Sequence, residues 1–224
     1  MSSASESVWR SEGRGPTRNR ALPAVALWVV TVLLLGPLPA HGGAFLSREE
    51  ALELAFPGAA RIETRSFVLT DEQSSEVARR TGAPLESKLV SVQVGRGTSA
   101  GVAGALLGYA LIDVHTVRTQ PEAIMVVLDP GGAVRSVRLL AFYEPSEYIP
   151  PDRWRDQFDG VRLTPDLRVG GKIYGVAGAT LSSRATTRTV RRALAIYEVL
   201  LSGRGESPAE RTRAPRAASP EATE

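Results

Sequence analysis

The sequence predicts a single α+β domain in which a mixed or antiparallel sheet is flanked by helices. Two observations support this fold class. Segments with strand-like alternation follow one another through the middle of the chain, and segments with helix-start signals lie before and after them. The two kinds of segment do not alternate regularly, as they would in the βαβ units of a parallel sheet. The 224 residues suffice for one domain with a substantial core.

Two capping boxes predict the first two helices. Ser47 opens an S-x-x-E box, and the helix it begins is expected to end before the Pro-Gly pair at 57–58. Thr70 opens a second box with glutamine in the fourth position, and Gly82 is typical of a helix end. Between these helices, "RIETRSFVLT" has the alternation and β-branching of a strand.

The central part of the chain predicts the sheet. Four segments have the apolar patterns of strands, and they cover residues 88–95, 105–117, 123–129 and 133–145. Residues 95–104 are glycine-rich and are predicted to form a loop between the first two of these strands. Pro130 is followed by two glycines, which predicts a hairpin turn between the last two strands.

The last part of the domain predicts a short helix over residues 150–160 and a long helix from Thr180 onward. One apolar stripe with helical spacing supports the long helix, and it consists of Val190, Ala193, Leu194, Tyr197 and Leu201. Residues 202–224 are rich in proline, alanine, serine and charge and offer almost nothing to bury, so we expect a disordered tail. The folded domain is therefore expected over residues 44–201.

Residues 1–43 have the order of a targeting segment. A polar stretch with four arginines precedes an uncharged apolar stretch over 21–40, and small residues follow it. The segment predicts a signal peptide or, as the alternative, an N-terminal membrane anchor, because residues 21–40 are just long enough to span a bilayer. Both interpretations place the domain on the periplasmic or extracytoplasmic side, in agreement with the positive-inside rule.

Composition excludes several classes of function. Residues 1–43 contribute two of the three net positive charges, so the domain lacks the clustered basic face that nucleic-acid binding requires. The absence of cysteine excludes disulfides, thiolate catalysis and Cys-ligated metal centres. Only His41 and His115 are histidines, which argues against a histidine-rich metal site. The nucleophile elbow G-x-S-x-G of a serine hydrolase does not occur.

The segment "GVAGATLSSRATTR" at 175–188 is the strongest candidate site. Its glycines allow close approach of a ligand to the backbone, and the amides at a helix N-terminus favour an anion such as phosphate. Neither the P-loop spacing nor the dinucleotide-binding spacing is present. The structural alternative is that Thr180 or Ser182 is simply the N-cap of the helix. Elsewhere, Asp113 and His115 share one face of a strand and are expected to form a hydrogen-bonded pair.

The stretch "GATLSSRATTRTVRRAL", which begins at Gly178, is similar to the flavin-attachment segment of the FMN-binding domain family. This family includes flavin-carrying subunits of the sodium-translocating NADH:quinone reductase and of the Rnf electron-transport complex. The strands over 109–148 also resemble those of exported members, so the resemblance covers about residues 85–200. It implies an FMN-carrying electron-transport protein that exchanges electrons with membrane-associated redox proteins.

The resemblance also implies roles for individual residues. A flavin transferase would esterify the FMN phosphate to Thr180, and the remaining residues expected to shape the site are Gly178, Ala179, Leu181 and Ser182. His115 and Arg118 are further candidates for contacts to the ring or the phosphate, and Glu144 would lie near an acidic loop that faces the flavin. The family pattern has Asp and Ser/Thr where this chain has Tyr174 and Ala177. The alternative is therefore a cell-envelope binding or structural module that has lost the cofactor.

Overall fold

The computed structural model describes residues 41–99 and 102–203. The predicted targeting segment up to residue 40 and the predicted tail from residue 204 lie outside the described residues. Among the helices that are described, none is long and apolar enough to cross a membrane. The predictions for the two ends of the chain therefore stay predictions.

The described part contains six strands and three α-helices. The strands are β1 (His41–Ala44), β2 (Arg61–Val68), β3 (Leu89–Ser99), β4 (Val102–Val117), β5 (Gln120–Leu128) and β6 (Val134–Pro145). The α-helices are α1 (Arg48–Ala55), α2 (Asp71–Thr81) and α3 (Thr180–Ile196). Two 3-10 segments, Ser146–Tyr148 and Asp152–Phe158, follow β6, and a π-helical turn, Tyr197–Leu201, continues α3.

The six strands form one antiparallel sheet in the order β1-β6-β5-β4-β3-β2, which confirms the α+β class. Strands β2 to β6 are a simple meander, since each pairs with the next along the chain. Both predicted capping boxes are present, at Ser47 with Glu50 and at Thr70 with Gln73, and Gly82 closes α2 in the left-handed conformation.

The prediction of a loop over residues 95–104 is wrong for most of its length. Strand β3 runs through Gly95 to Ser99 and β4 begins at Val102, with register shifts between Gly95 and Arg96 and between Gly97 and Thr98. The glycines serve close packing here, because a Cβ at Gly95 would lie 2.4 Å from the Phe56 ring. Glycine-rich composition alone does not distinguish an irregular strand from a loop.

The folded part also begins earlier than the predicted boundary at residue 44. Strand β1 starts at His41, whose Cα partner is Pro145, and Gly43 pairs with Phe142. The short segment "HGGA" lacks the alternation of a strand, so its pairing depends on the open edge of β6 rather than on its own residues. His41, which lies before the predicted boundary at residue 44, is thus part of the sheet.

The core lies on both faces of the sheet. The larger cluster joins one face to α2, α3 and the 3-10 segment at 152–158, and includes Val126, Phe158 and Leu194. The smaller cluster packs α1 against the other face around Met125. Helix α3 is buried on more than the predicted stripe, since several of its hydroxyl residues are also covered, including Ser183, Thr187 and Thr189. Helix α3 is thereby held against the sheet along its whole length.

Candidate functional site

Helix α3 begins without a side-chain cap. Ala179 is the N-cap residue, no side chain bonds to the first-turn amides, and Gly178 before it has a φ of 83°. The alternative that Thr180 or Ser182 is the N-cap is therefore wrong. Thr180 is already helical, and its hydroxyl donates only a long bond of 3.4 Å to the carbonyl of Val176. The amides and positive dipole end of α3 are left for solvent or a ligand.

A small cavity lies at this helix start, with a volume of about 90 Å³. We call it the Thr180 cavity, and its lining residues are Arg118, Tyr148, Gly178, Ala179, Thr180, Leu181 and Ser182. The structure thus brings together six of the seven residues that the sequence singled out as cofactor contacts. Its volume corresponds to roughly three water molecules at about 30 Å³ each, which suits a phosphate group but not a whole flavin.

Ser182 is the most informative residue in the Thr180 cavity. It is only 1% exposed, yet its hydroxyl makes no hydrogen bond within the described part of the chain. The neighbouring Ser183 is equally buried, but its hydroxyl donates to the carbonyl of Ala179 over 2.9 Å. Because Ser182 lines the cavity and its hydroxyl has no partner in the described residues, this hydroxyl is available to a ligand atom there.

Arg118 reaches the Thr180 cavity from the turn between β4 and β5. It is the one non-glycine residue with positive φ among the described residues, at 53°. Its guanidinium lies 4.5 Å from the ring centroid of Tyr148, and this cation–π contact holds the charge beside the helix start. A guanidinium and uncapped helix amides both favour an anion at the same place.

Glu144 positions this turn through its carboxylate. Its carboxylate accepts hydrogen bonds of 2.7 and 2.8 Å from the backbone amides of Thr119 and Gln120 and a third from the Thr119 hydroxyl. The Thr119 amide bond, above all, lowers the pKa of Glu144 and outweighs the opposing effect of burial. The resemblance implies that Glu144 lies near an acidic loop that faces the flavin, and this stays a prediction; in the structure its buried carboxylate supports the backbone that carries Arg118.

His115 does not line the Thr180 cavity. It lies beneath the middle of α3, where Nδ1 is 3.2 Å from Asp113 and Nε2 is 3.0 Å from Glu122. Asp113 also accepts hydrogen bonds from Thr189 and Arg192, at 2.9 Å each. We call these five residues the His115 cluster. The predicted pair of Asp113 and His115 is confirmed, but both ring nitrogens are occupied, so His115 contacts no phosphate at Thr180.

The His115 cluster keeps its histidine charged. Burial alone would lower the pKa of His115, but the hydrogen bonds and charges of Asp113 and Glu122 outweigh it and raise this pKa to about 9. The pKa of Asp113 is lowered even though burial acts in the opposite direction, because it is bonded to His115, Arg192 and Thr189. Among the residues the structure describes, no group of three or more acidic, histidine or cysteine side chains is placed to hold a metal ion.

Two large side chains in and before the first turn of α3 are exposed. Leu181 is 50% exposed and Tyr174, which stands at the family's Asp position, is 79% exposed. The Tyr174 backbone is fixed, since its carbonyl accepts from the Trp154 indole and its amide donates to Gln157. The loop before α3 is therefore anchored at Tyr174.

No protein-family model matches the chain, and a search of curated proteins found no match. The resemblance to the FMN-binding domain family stays a prediction that rests on the sequence.

Proposed function

We propose that this chain is an exported FMN-binding electron-transfer protein whose flavin phosphate is bound at, or esterified to, Thr180. The observation that carries the proposal is the Ser182 hydroxyl, which has no partner in the described residues and lines a cavity that also holds Arg118 and the uncapped start of α3. These groups supply hydroxyls, backbone amides and a cation in one place, which is the donor set that a phosphate needs.

The chain's own residues have distinct tasks in this proposal. Arg118 offsets phosphate charge, Ser182 donates a hydrogen bond, and the exposed Thr180 side chain presents its Oγ1 for a phosphoester. Glu144 holds the turn of Arg118 through the Thr119 and Gln120 amides. When bound, the flavin supplies the redox chemistry, so the protein needs no general acid or base and only positions and tunes the ring.

The expected partners follow from this role. A carrier of electrons with no substrate of its own exchanges them with other redox centres, and the predicted targeting segment places those partners at the membrane. A flavin transferase on the same side of the membrane is required if the phosphate is esterified. The predicted location is periplasmic or extracytoplasmic.

The second candidate is a binding or structural module of the cell envelope with the same fold and no cofactor. Tyr174 favours it, because an exposed aromatic stands where the family pattern has an acid. Ala177 favours it as well, because the pattern's hydroxyl is missing there. In this case the Thr180 cavity takes a simple anion or nothing at all.

One experiment separates the two candidates. The chain is produced with and without a flavin transferase, unfolded, and examined for flavin absorbance and for added mass on the peptide that contains Thr180. Retained flavin that is lost in Thr180→Val supports a covalent attachment. Flavin that is released on unfolding supports noncovalent binding. In that case the binding of flavin should weaken when Ser182 or Arg118 is substituted.

A colourless protein from the transferase strain would contradict covalent attachment. Titration of that protein with free FMN then tests the remaining proposal through quenching of flavin fluorescence. Absence of quenching in the wild type would overturn FMN binding and favour the module. The matched control is Ser75→Ala in α2, which lies far from the site along the chain and should change neither readout.

A further inference from the structure

The Thr180 cavity is too small to hold a flavin ring as well as its phosphate. A second cavity is a candidate site for the ring. This cavity has a volume of about 270 Å³ and lies between α3, the end of β4 and the loop after α2. We call it the Arg188 cavity, and it is lined by Ala83, Pro84, Glu86, His115, Thr116, Ala185, Arg188, Thr189 and Arg192. Its volume approaches the range of small-molecule sites, which begins at about 300 Å³.

The two cavities lie along the same two elements, and their order along the chain is reversed between the helix and the strand. On α3, Leu181 lines the Thr180 cavity, and Ala185 and Arg188, four and seven residues later, line the Arg188 cavity. This spacing puts all three on one helix face. On β4 and the turn after it, Thr116 lines the Arg188 cavity and Arg118 the Thr180 cavity.

The separation of the cavities suits a ligand with a phosphate at one end and a ring at the other. From Thr180 to Arg188 the helix rises about 12 Å at 1.5 Å per residue. From Arg118 to Thr116 the backbone advances about 7 Å at 3.3 Å per residue. An extended ribityl chain joins phosphate and ring in FMN over a span of this order.

Two charged residues at the Arg188 cavity have free side chains. Within residues 41–99 and 102–203, neither Arg188 nor Glu86 takes part in a hydrogen bond or ion pair, and both are exposed. In contrast, His115 and Arg192 are held by the carboxylates of the His115 cluster. The free donor at Arg188 stands on α3, and the free acceptor at Glu86 stands on the facing loop.

We propose that the isoalloxazine ring occupies the Arg188 cavity, with its imide edge between Arg188 and Glu86. That edge carries a carbonyl, an N–H and a second carbonyl in a row. The guanidinium donates to a carbonyl and the carboxylate accepts from the N–H. Small and apolar residues, Ala83, Pro84 and Ala185, supply the walls against which a flat ring lies.

This placement rests on the proposed function and assigns opposite roles to the two charges. The ring gains negative charge on reduction, so the positive charge of Arg188 stabilises the reduced state and raises the flavin potential. The negative charge of Glu86 acts in the opposite direction. Both side chains contact the ring, tune its potential and take no part in bond making.

The test uses the flavin-loaded full chain and compares Arg188→Gln, Glu86→Gln and Arg184→Gln. Arg184 is exposed on the same helix, one turn earlier, and lines neither cavity, which makes it the matched control. We expect the midpoint potential to fall in Arg188→Gln, to rise in Glu86→Gln and to stay unchanged in Arg184→Gln. Opposite signs cannot result from a general loss of stability.

The ring placement is overturned if Arg188→Gln and Glu86→Gln have the potential and the fluorescence quenching of Arg184→Gln. In that case flavin is still present and the proposed function stands. If the wild-type chain takes up no flavin, both proposals fail together. A variant that binds flavin too weakly for its midpoint potential to be measured is tested through its FMN dissociation constant. A constant about tenfold higher than that of Arg184→Gln supports the placement, and an equal constant contradicts it.

Discussion

Helix α3 carries two polar sites that differ in one respect, namely whether their polar groups have partners within the protein. The His115 cluster beneath its middle is complete, since both histidine nitrogens and the Asp113 carboxylate are bonded within the protein. The Thr180 cavity at its start is incomplete, since the helix has no cap and Ser182 has no partner in the described residues. A complete network holds elements together, whereas an incomplete one provides a place for a ligand.

The hydrogen bonds along the rest of α3 support the incomplete site at its start. The His115 cluster joins β4 and β5 to α3 through Thr189 and Arg192, and Arg191 donates to the carbonyls of Thr164 and Leu167. Together these bonds keep the helix in one position on the sheet. The ligand-facing end can then lack a cap, because the rest of the helix does not depend on it.

The largest expected effect comes from breaking the His115 cluster. Glu122 is 2% exposed, and its carboxylate is bonded to His115 over 3.0 Å. Glu122→Ala should lower the free energy of unfolding by about 3–5 kcal/mol, as removal of one partner from a buried ion pair does. Urea unfolding measures the change. Exposed Glu53 in α1 is the control, and Glu53→Ala should stay within about 0.5 kcal/mol of the wild type.

The next effect is a pH dependence from the same cluster. The pKa of His115 is about 9 in the folded protein, against about 6.5 in the unfolded chain. Because the folded value is the higher one, the stabilisation is fully present below pH 6.5 and is lost as the pH rises through 9. The difference corresponds to about 3 kcal/mol.

Urea unfolding between pH 6 and pH 10 checks this loss, with His115→Gln as the comparison. The variant should be less stable than the wild type at pH 6 and should lose much less stability on the way to pH 10. Equal slopes in the two proteins would show that His115 is not the titrating group.

A smaller effect distinguishes the two adjacent serines. Ser183→Ala removes a buried bond to the Ala179 carbonyl and should lower the free energy of unfolding by about 1 kcal/mol. Ser182→Ala removes a hydroxyl that has no partner and should leave stability unchanged or slightly higher. FMN titration should show the reverse order, with weaker binding only in Ser182→Ala. Equal stability losses in both variants would contradict the assignment of Ser182 to a ligand.

The smallest effect on stability is expected at Arg118. Its left-handed backbone costs a non-glycine residue about 1 kcal/mol, so Arg118→Gly relieves that cost while it removes the guanidinium. Thermal unfolding should change little or improve, and FMN or phosphate affinity should fall. Arg79→Gly in α2 is the control for an arginine-to-glycine substitution outside the site. It should destabilise the helix and leave the affinity for FMN or phosphate unchanged. Unchanged affinity in Arg118→Gly would remove Arg118 from the site.

Local sequence rules predicted the parts of the fold that depend on neighbouring residues. The boxes at Ser47 and Thr70 form because cap and partner are only three residues apart. The pairing of Asp113 with His115 follows from the alternation of a strand. The loop predicted over residues 95–104 is wrong, because these residues pair with close neighbours in the two arms of one hairpin, as Thr98 does with Ala103. His41 lies before the predicted boundary at residue 44 and joins the sheet through Pro145, a partner far away along the chain that no local pattern records.

Some features of the candidate site likewise follow from local sequence, and others depend on the tertiary structure. The sequence by itself determined that small residues and hydroxyls lead into a long helix at Thr180, since composition and helical spacing are local properties. Only the tertiary structure decided that Arg118 joins this helix start, that Glu144 supports the turn of Arg118, and that His115 lies elsewhere. These contacts are decided by strand register and helix packing, which bring together residues more than 20 positions apart, and no local pattern records that pairing.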